Sequence, residues 1–234
     1  RVLFWISEDM MMSKMISLLL TAVLGTALVA GGVGQKMERQ EVDVILFAGQ
    51  SNISGLGDAS KAPEVPEGVG YEFRAVTDPT RLYHLEEPFG ENENREGMCD
   101  DSPFLERTGS LASAFVNAYY AQTGTPVVAV AASRGSSKMS TWLREDGLFI
   151  DAGQRLDACL QYLNENPDYK IRHIYMVWLQ GEGDISSHRD DEDYAALLQE
   201  LFDNFHILGV EKCFLIRVGM DTDRNPEDME YILE

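Results

Sequence analysis

Three short stretches carry residue types suited to the hydrolysis of an ester. The first, "ILFAGQSNISGLG" (45–57), runs an apolar segment straight into Gly49, Gln50, Ser51 and Asn52. The second, "AASRGSSKMSTW" (131–142), brings Gly135 just past another apolar run, with Trp142 close behind. The third, "WLQGEGD" (178–184), brings Gln180, Glu182 and Asp184. A serine hydroxyl is a nucleophile for an ester carbonyl. The attack leaves a tetrahedral carbon whose oxyanion must meet fixed donors, and the backbone N–H groups of Ser51 and Gly135 with the Gln180 side-chain amide are candidates. Each residue also has a plainer reading. Ser, Asn and Gly form ordinary turns, Gln180 suits the capping of loop backbone groups, and Glu182 and Asp184 suit a solvated acidic loop or a helix start. Singly, the plain readings win; together, at three successive strand exits, they favour a site.

Those exits need a sheet to bring them together. Val44 to Ala48 is uninterrupted apolar sequence, the pattern of a strand covered on both faces. The runs 126–132, 173–179 and 212–218 are further β-rich segments, each preceded by a helical stretch: Ser110–Gln122, Phe149–Asn166 and Asp191–Leu208. In the last helix Tyr194, Leu197, Leu198, Leu201 and Phe205 recur at spacings of three and four. Gly124, Pro167 and Gly209 supply helix stops. Alternation of this kind predicts an α/β fold with a parallel sheet and helices on both faces, and ligands of such sheets bind past the strands' carboxyl ends. The segment from Asp58 to Thr108 shows little periodicity and reads as a long loop with short local structure.

The composition narrows the classes. With 19 Lys plus Arg against 39 Asp plus Glu, the formal charge is −20. Such a chain repels phosphate backbones and anionic membranes, so nucleic acid is excluded as a partner. Cys99, Cys159 and Cys213 lie far apart, and an odd count closes no disulfide framework. No zinc spacing is present either. At the amino end, "RVLFWISED" precedes the first methionine, Met10, and is set aside from the fold. Lys14 then leads into "MISLLLTAVLGTALVAGGVG", with the order of a secretory signal: basic flank, apolar centre, small-residue exit. The same run is about long enough to span a bilayer. Residues 1–40 are therefore expected to be a signal peptide or a membrane-anchor-like leader, 41–234 the folded domain, and the protein secreted or held in the cell envelope.

"GQSN" after an apolar strand, "SRGSS" followed by Trp142, and "QGEGD" after another strand resemble the first three blocks of the SGNH hydrolases. Within them they are similar to the acetylesterase branch that holds sialate O-acetylesterases and acetylxylan esterases. "YEFRAVTDPTRLYHLEEPFGENENREG" and "SAFVNAYY" also resemble bacterial members, and the likeness runs from about Asp43 to Asn225. The resemblance implies a flavodoxin-like three-layer α/β/α sandwich and an acetylated carbohydrate as substrate, with no cofactor and no metal. It implies Ser51 as nucleophile, Ser51, Gly135 and Gln180 as the oxyanion hole, and Asn52, Glu182 and Asp184 as a supporting loop. Members often carry Met where Ile53 stands and Ser or Thr where Gly183 stands, and neither departure removes a catalytic group. The elbow of the α/β-hydrolases, G-x-S-x-G, does not fit residues 49–53, which read G-Q-S-N-I.

A serine needs a base, and the resemblance implies a histidine in a D-x-x-H block close to the carboxyl end. No such block is read anywhere in the chain. Of the four histidines, His84, His173 and His206 read as structural or exposed, while His188, in "GDISSHRDDED", lies near a site loop with acidic neighbours. The expectation is a serine esterase that removes O-acetyl groups through an acyl-enzyme. Its last strand, last helix and catalytic histidine are expected beyond residue 234, with His188 as the alternative base. The competing expectation is a carbohydrate-binding pseudoenzyme that keeps the pocket without the base.

Overall fold

The computed structural model describes residues 38–93, 107–144, 146–185 and 191–217. The leader expected over residues 1–40 therefore lies outside the described residues except for its last three, as does His188. Six strands form one sheet: β1 (Gln40–Gly49), β2 (Gly70–Arg74), β3 (Asp78–His84), β4 (Val127–Ala131), β5 (Tyr169–Leu179) and β6 (Lys212–Leu215). Their order across the sheet is β3-β2-β4-β1-β5-β6. All neighbours are parallel except the β2–β3 hairpin.

The four strands legible in the sequence thus stand in the order second, first, third, fourth, the flavodoxin-like arrangement with its switch point at β1. Central β1 explains its own composition. Its residues from Val42 to Ala48 are buried, and successive side chains enter opposite cores. Val42, Val44, Leu46 and Ala48 pack with Trp142, Phe149, Leu156, Cys159, Leu201 and Phe205, under α3 (Gly147–Glu165) and α5 (Asp191–Ile207). Ile45 and Phe47 pack with Ala112 and Val116 of α2 (Ala112–Thr123) and with Leu85, Phe89 and Val177. Among the described residues no helix is long and apolar enough to cross a membrane.

The expected long loop over 58–108 is corrected, because it contains the β2–β3 hairpin at the sheet's edge. Neither strand advertises itself. In β2, "GYEFR", the buried set includes Glu72, 3% exposed, so the apolar run is broken by a carboxylate. In β3, "DPTRLYH", proline and charge sit on an exposed edge, where they discourage pairing with another chain and read as turn residues. Glu72 is held by Arg74 Nε at 2.8 Å and by the backbone N–H of Gly90 at 2.9 Å. Burial nevertheless pushes its pKa up, against the opposing pull of Arg74 and the Gly90 N–H.

Candidate active site

The three strand exits converge on the carboxyl edge of the sheet. The end of β1, Gly49, pairs with Leu179 at the end of β5, and Arg134, just past β4, donates its backbone N–H to Gly49 O at 2.8 Å. Ser51 opens α1 (Ser51–Ser54), a single turn, and is half-buried. Gly135 lies against it: a Cβ on Gly135 would stand 4.0 Å from the Ser51 Cβ. The N–H groups of Ser51 and Gly135 donate to no other described residue. Ser136 follows with φ 55°, the left-handed region in which a non-glycine residue is strained, a feature that concentrates at functional loops.

Buried polar side chains knit the loops to one another. Gln50, 3% exposed, accepts at Oε1 from the N–H groups of Gly181 (3.3 Å) and Gly183 (3.1 Å), which ties the Ser51 turn to the third loop. Asn52 Nδ2 donates to Glu182 Oε1 at 2.5 Å across the same gap. Asp184, fully buried in α4 (Glu182–Ile185), accepts at Oδ2 from Met139 N (2.8 Å) and from Gln180 Nε2 (2.5 Å). Gln180 Nε2 also donates to Ser137 O at 3.1 Å, and its Oε1 accepts from the Tyr194 hydroxyl at 2.8 Å. Trp142 Nε1 donates to Ser137 Oγ at 3.0 Å, and Trp142 meets Trp178 edge-on at 5.1 Å between ring centroids. The glycine at 183 has a steric reason, since a Cβ there would come within 2.6 Å of Ser137 O.

Ser51, Asn52, Gly135, Gln180, Glu182 and Asp184 are therefore brought together at one edge. Gln180 arrives with both its N–H bonds engaged, by Ser137 O and Asp184 Oδ2. Sequence reasoning assigned no role to Gln50, Ser137 or Tyr194. Gln50 had the clearest signal, a polar residue directly after an apolar strand in the same tetrapeptide as the serine.

The three described histidines lie at the other end of the sheet. His84 pairs with Tyr71, which is level with Val128 and so with Val44 of β1. From Val44 to Gly49 is a rise of about 17 Å at the usual 3.3 Å per residue. His173 precedes Ile174, the partner of Val44, and its Nδ1 lies 2.8 Å from Glu211 Oε2. The reading that no D-x-x-H occurs is corrected, since the letters stand once, at Asp203-Asn204-Phe205-His206. That match lies on α5, where His206 Nδ1 bonds Val210 O at 3.1 Å and Asp203 bonds Gln199 at 2.9 Å. Helix α5 ends before β6 begins at Lys212, level with Tyr175, so the pair cannot serve Ser51. Among the described residues no cluster of three His, Cys, Asp or Glu side chains could hold a metal ion.

Fold and edge together define an α/β protein of the SGNH hydrolase type, with Ser51 and Gly135 side by side past the carboxyl ends of a parallel sheet. The chain belongs to the carbohydrate esterase family described as sialic acid-specific acetylesterases, which matches residues 41–232. Its family makes it a carboxylic ester hydrolase of the carbohydrate acetylesterase kind. Two solved structures share the fold. A protein from Arabidopsis thaliana is 16% identical with a TM-score of 0.54, the match covering 77% of this chain and 75% of that one. NanS is also 16% identical with a TM-score of 0.54, over 82% of this chain and 72% of its own. No curated protein matches the chain.

Proposed function

We propose that the protein is a serine esterase that removes O-acetyl groups from a carbohydrate, sialic acid or xylan among the candidates, through an acetyl-enzyme on Ser51. The observation that carries this reading is the placement of Gly135 against Ser51, with a Cβ there 4.0 Å from the serine's, while the N–H groups of both residues donate to no other described residue. Ser51 Oγ adds to the acetyl carbonyl as its proton passes to a base. The carbonyl oxygen becomes an oxyanion received by the two N–H groups. Collapse expels the sugar hydroxyl, which takes up the proton, and water then releases acetate by the same steps in reverse order.

Gln180 supplies the third donor. Its bond to Ser137 O, 3.1 Å, is longer than its 2.5 Å bond to Asp184, so on substrate binding it exchanges the Ser137 carbonyl for the oxyanion and stays anchored by Asp184. Asn52 and Glu182 hold the first and third loops at the spacing that this exchange requires. Among the described residues no histidine stands at this edge, and His188, which lies outside them, is the candidate base. In support stand the family and the concentration of buried polar bonds at this edge. Ser51→Ala should reduce acetate release from p-nitrophenyl acetate or an acetylated sugar by at least about a thousandfold with folding intact. Near-normal turnover in that variant would return Ser51 to the status of a turn residue.

A further inference from the structure

The nucleophile sits on one turn of helix, too short to hold its own geometry, and the catalytic geometry also depends on a second loop that carries Gly135. Something must keep the two in register. The side chain that spans them is Arg107, which is 6% exposed. Its Nη1 donates to Ser54 O at 3.2 Å, the last residue of α1, and to Ser133 Oγ at 3.1 Å. Its Nη2 donates to Ser133 O at 3.4 Å, two residues before Gly135.

The backbone behind the guanidinium is anchored to the same turn. Thr108 N donates to Gly55 O (2.9 Å), Gly57 N to Gly109 O (2.8 Å) and Ala59 N to Thr108 O (2.9 Å), so residues 107–109 run alongside the chain that leaves α1. The opposite wall is close: a Cβ on Gly90 would stand 3.0 Å from Nη1. The guanidinium is thus fixed at its stem, along one side and at its donors. A planar fork of donors spans two loops as a lysine ammonium, a point donor on a flexible stem, does not.

Resting on the acetylesterase reading above, we propose that Arg107 is a positioning residue for catalysis, holding the Ser51 turn and the Gly135 loop at the separation that lets one carbonyl meet both the Ser51 hydroxyl and the Gly135 N–H. It touches neither substrate nor reacting atoms. Misplacement of reacting groups by about an ångström costs on the order of 100-fold in rate, so its removal acts on turnover rather than on affinity.

The test uses the whole protein, p-nitrophenyl acetate and two variants. Arg107→Ala should lower kcat by about 100-fold with KM changed by no more than about twofold, and millimolar guanidinium should restore a substantial part of kcat. Arg107→Lys should show a smaller loss that guanidinium does not rescue. Independently of turnover, amide hydrogen exchange in both variants should accelerate over 52–57 and 133–136 and stay unchanged in β1 and β5. Unchanged exchange in those two segments would overturn the proposal, as would a loss confined to KM or an Arg107→Ala deficit that guanidinium only deepens. Should Arg107→Ala fail to fold, the Arg107→Lys exchange and its kcat and KM decide alone. A wild type without esterase turnover would defeat the acetylesterase reading while the exchange data still decided whether Arg107 couples the loops.

Discussion

The two ends of the parallel sheet use buried polar groups for different purposes. At the carboxyl end, Gln50, Gln180, Asp184 and Ser137 bond loop to loop, while the N–H groups of Ser51 and Gly135 donate to no described residue. At the amino end the polar groups pair with one another. Tyr119 donates to Asp43 Oδ2 at 2.6 Å, Arg172 Nε lies 3.5 Å from Asp43 Oδ1, Lys170 meets Glu41 at 2.7 Å and His173 meets Glu211 at 2.8 Å. One end ties loop to loop around Ser51 and Gly135, the other ties strand starts together. A histidine or carboxylate therefore acquires meaning from the end on which the topology places it, not from the letters around it.

The contrast can be broken in several ways, beginning where the effect is greatest. Gln180→Ala should lower kcat by about 100- to 1,000-fold, the usual loss for one oxyanion donor, with KM little changed. Initial rates on p-nitrophenyl acetate would show it, and an effect on KM alone would make Gln180 a substrate-holding or loop-tying group. At the other end, Tyr119→Phe leaves the Oδ2 of Asp43, which is fully buried, without its hydroxyl donor. Urea unfolding should register a loss of about 1–3 kcal/mol, while kcat stays that of the wild type. A change in kcat there would mean that the two ends are not separable.

Glu72 gives a smaller effect with a definite sign. Its pKa is raised in the folded chain, chiefly by burial, above the ordinary 4.5. Between those two values the folded state binds more protons than the unfolded state, so stability from this group falls as pH rises through the window. The destabilisation is full above the folded pKa and absent below the ordinary one. Glu72→Gln cannot titrate, so the Tm difference, variant minus wild type, should shrink as pH is lowered from 7 towards 5. A difference that grows instead would show that the ion pair with Arg74 outweighs desolvation. Smallest of all, His206→Ala should leave turnover within about twofold, and a large loss would restore the D-x-x-H of α5 as the base.

Much of this was legible in the sequence, for reasons that particular residues make plain. Strands β1 and β4 and the carboxyl half of β5 are buried on both faces and so read as apolar runs, and α5 carries its apolar stripe at helical spacing. The edge hairpin was not legible, because β2 buries Glu72 and β3 exposes Pro79 and Arg81, choices that only the neighbouring Arg74 and the sheet's edge explain. At the site, the residue types at the three exits announced a cluster, but not how they divide the work. That Gln180 would arrive bonded to Ser137, 43 residues away, and that Gln50 would join the first loop to the third, 131 and 133 residues away, depends on contacts between distant segments. No local pattern encodes them. The same holds for Asp203 and His206, whose spacing is right and whose position on α5 is wrong.

The central claim, that the serine at the carboxyl edge is the nucleophile, is tested most directly by identifying the residue that becomes covalently modified. The protein expressed from its native gene would be treated with a fluorophosphonate, digested and mapped by mass spectrometry. The account predicts a single phosphonylated site, Ser51, with labelling and acetate release lost in parallel as the reagent is added. Continued turnover after stoichiometric labelling, or loss of turnover with the label on a residue other than Ser51, would contradict it.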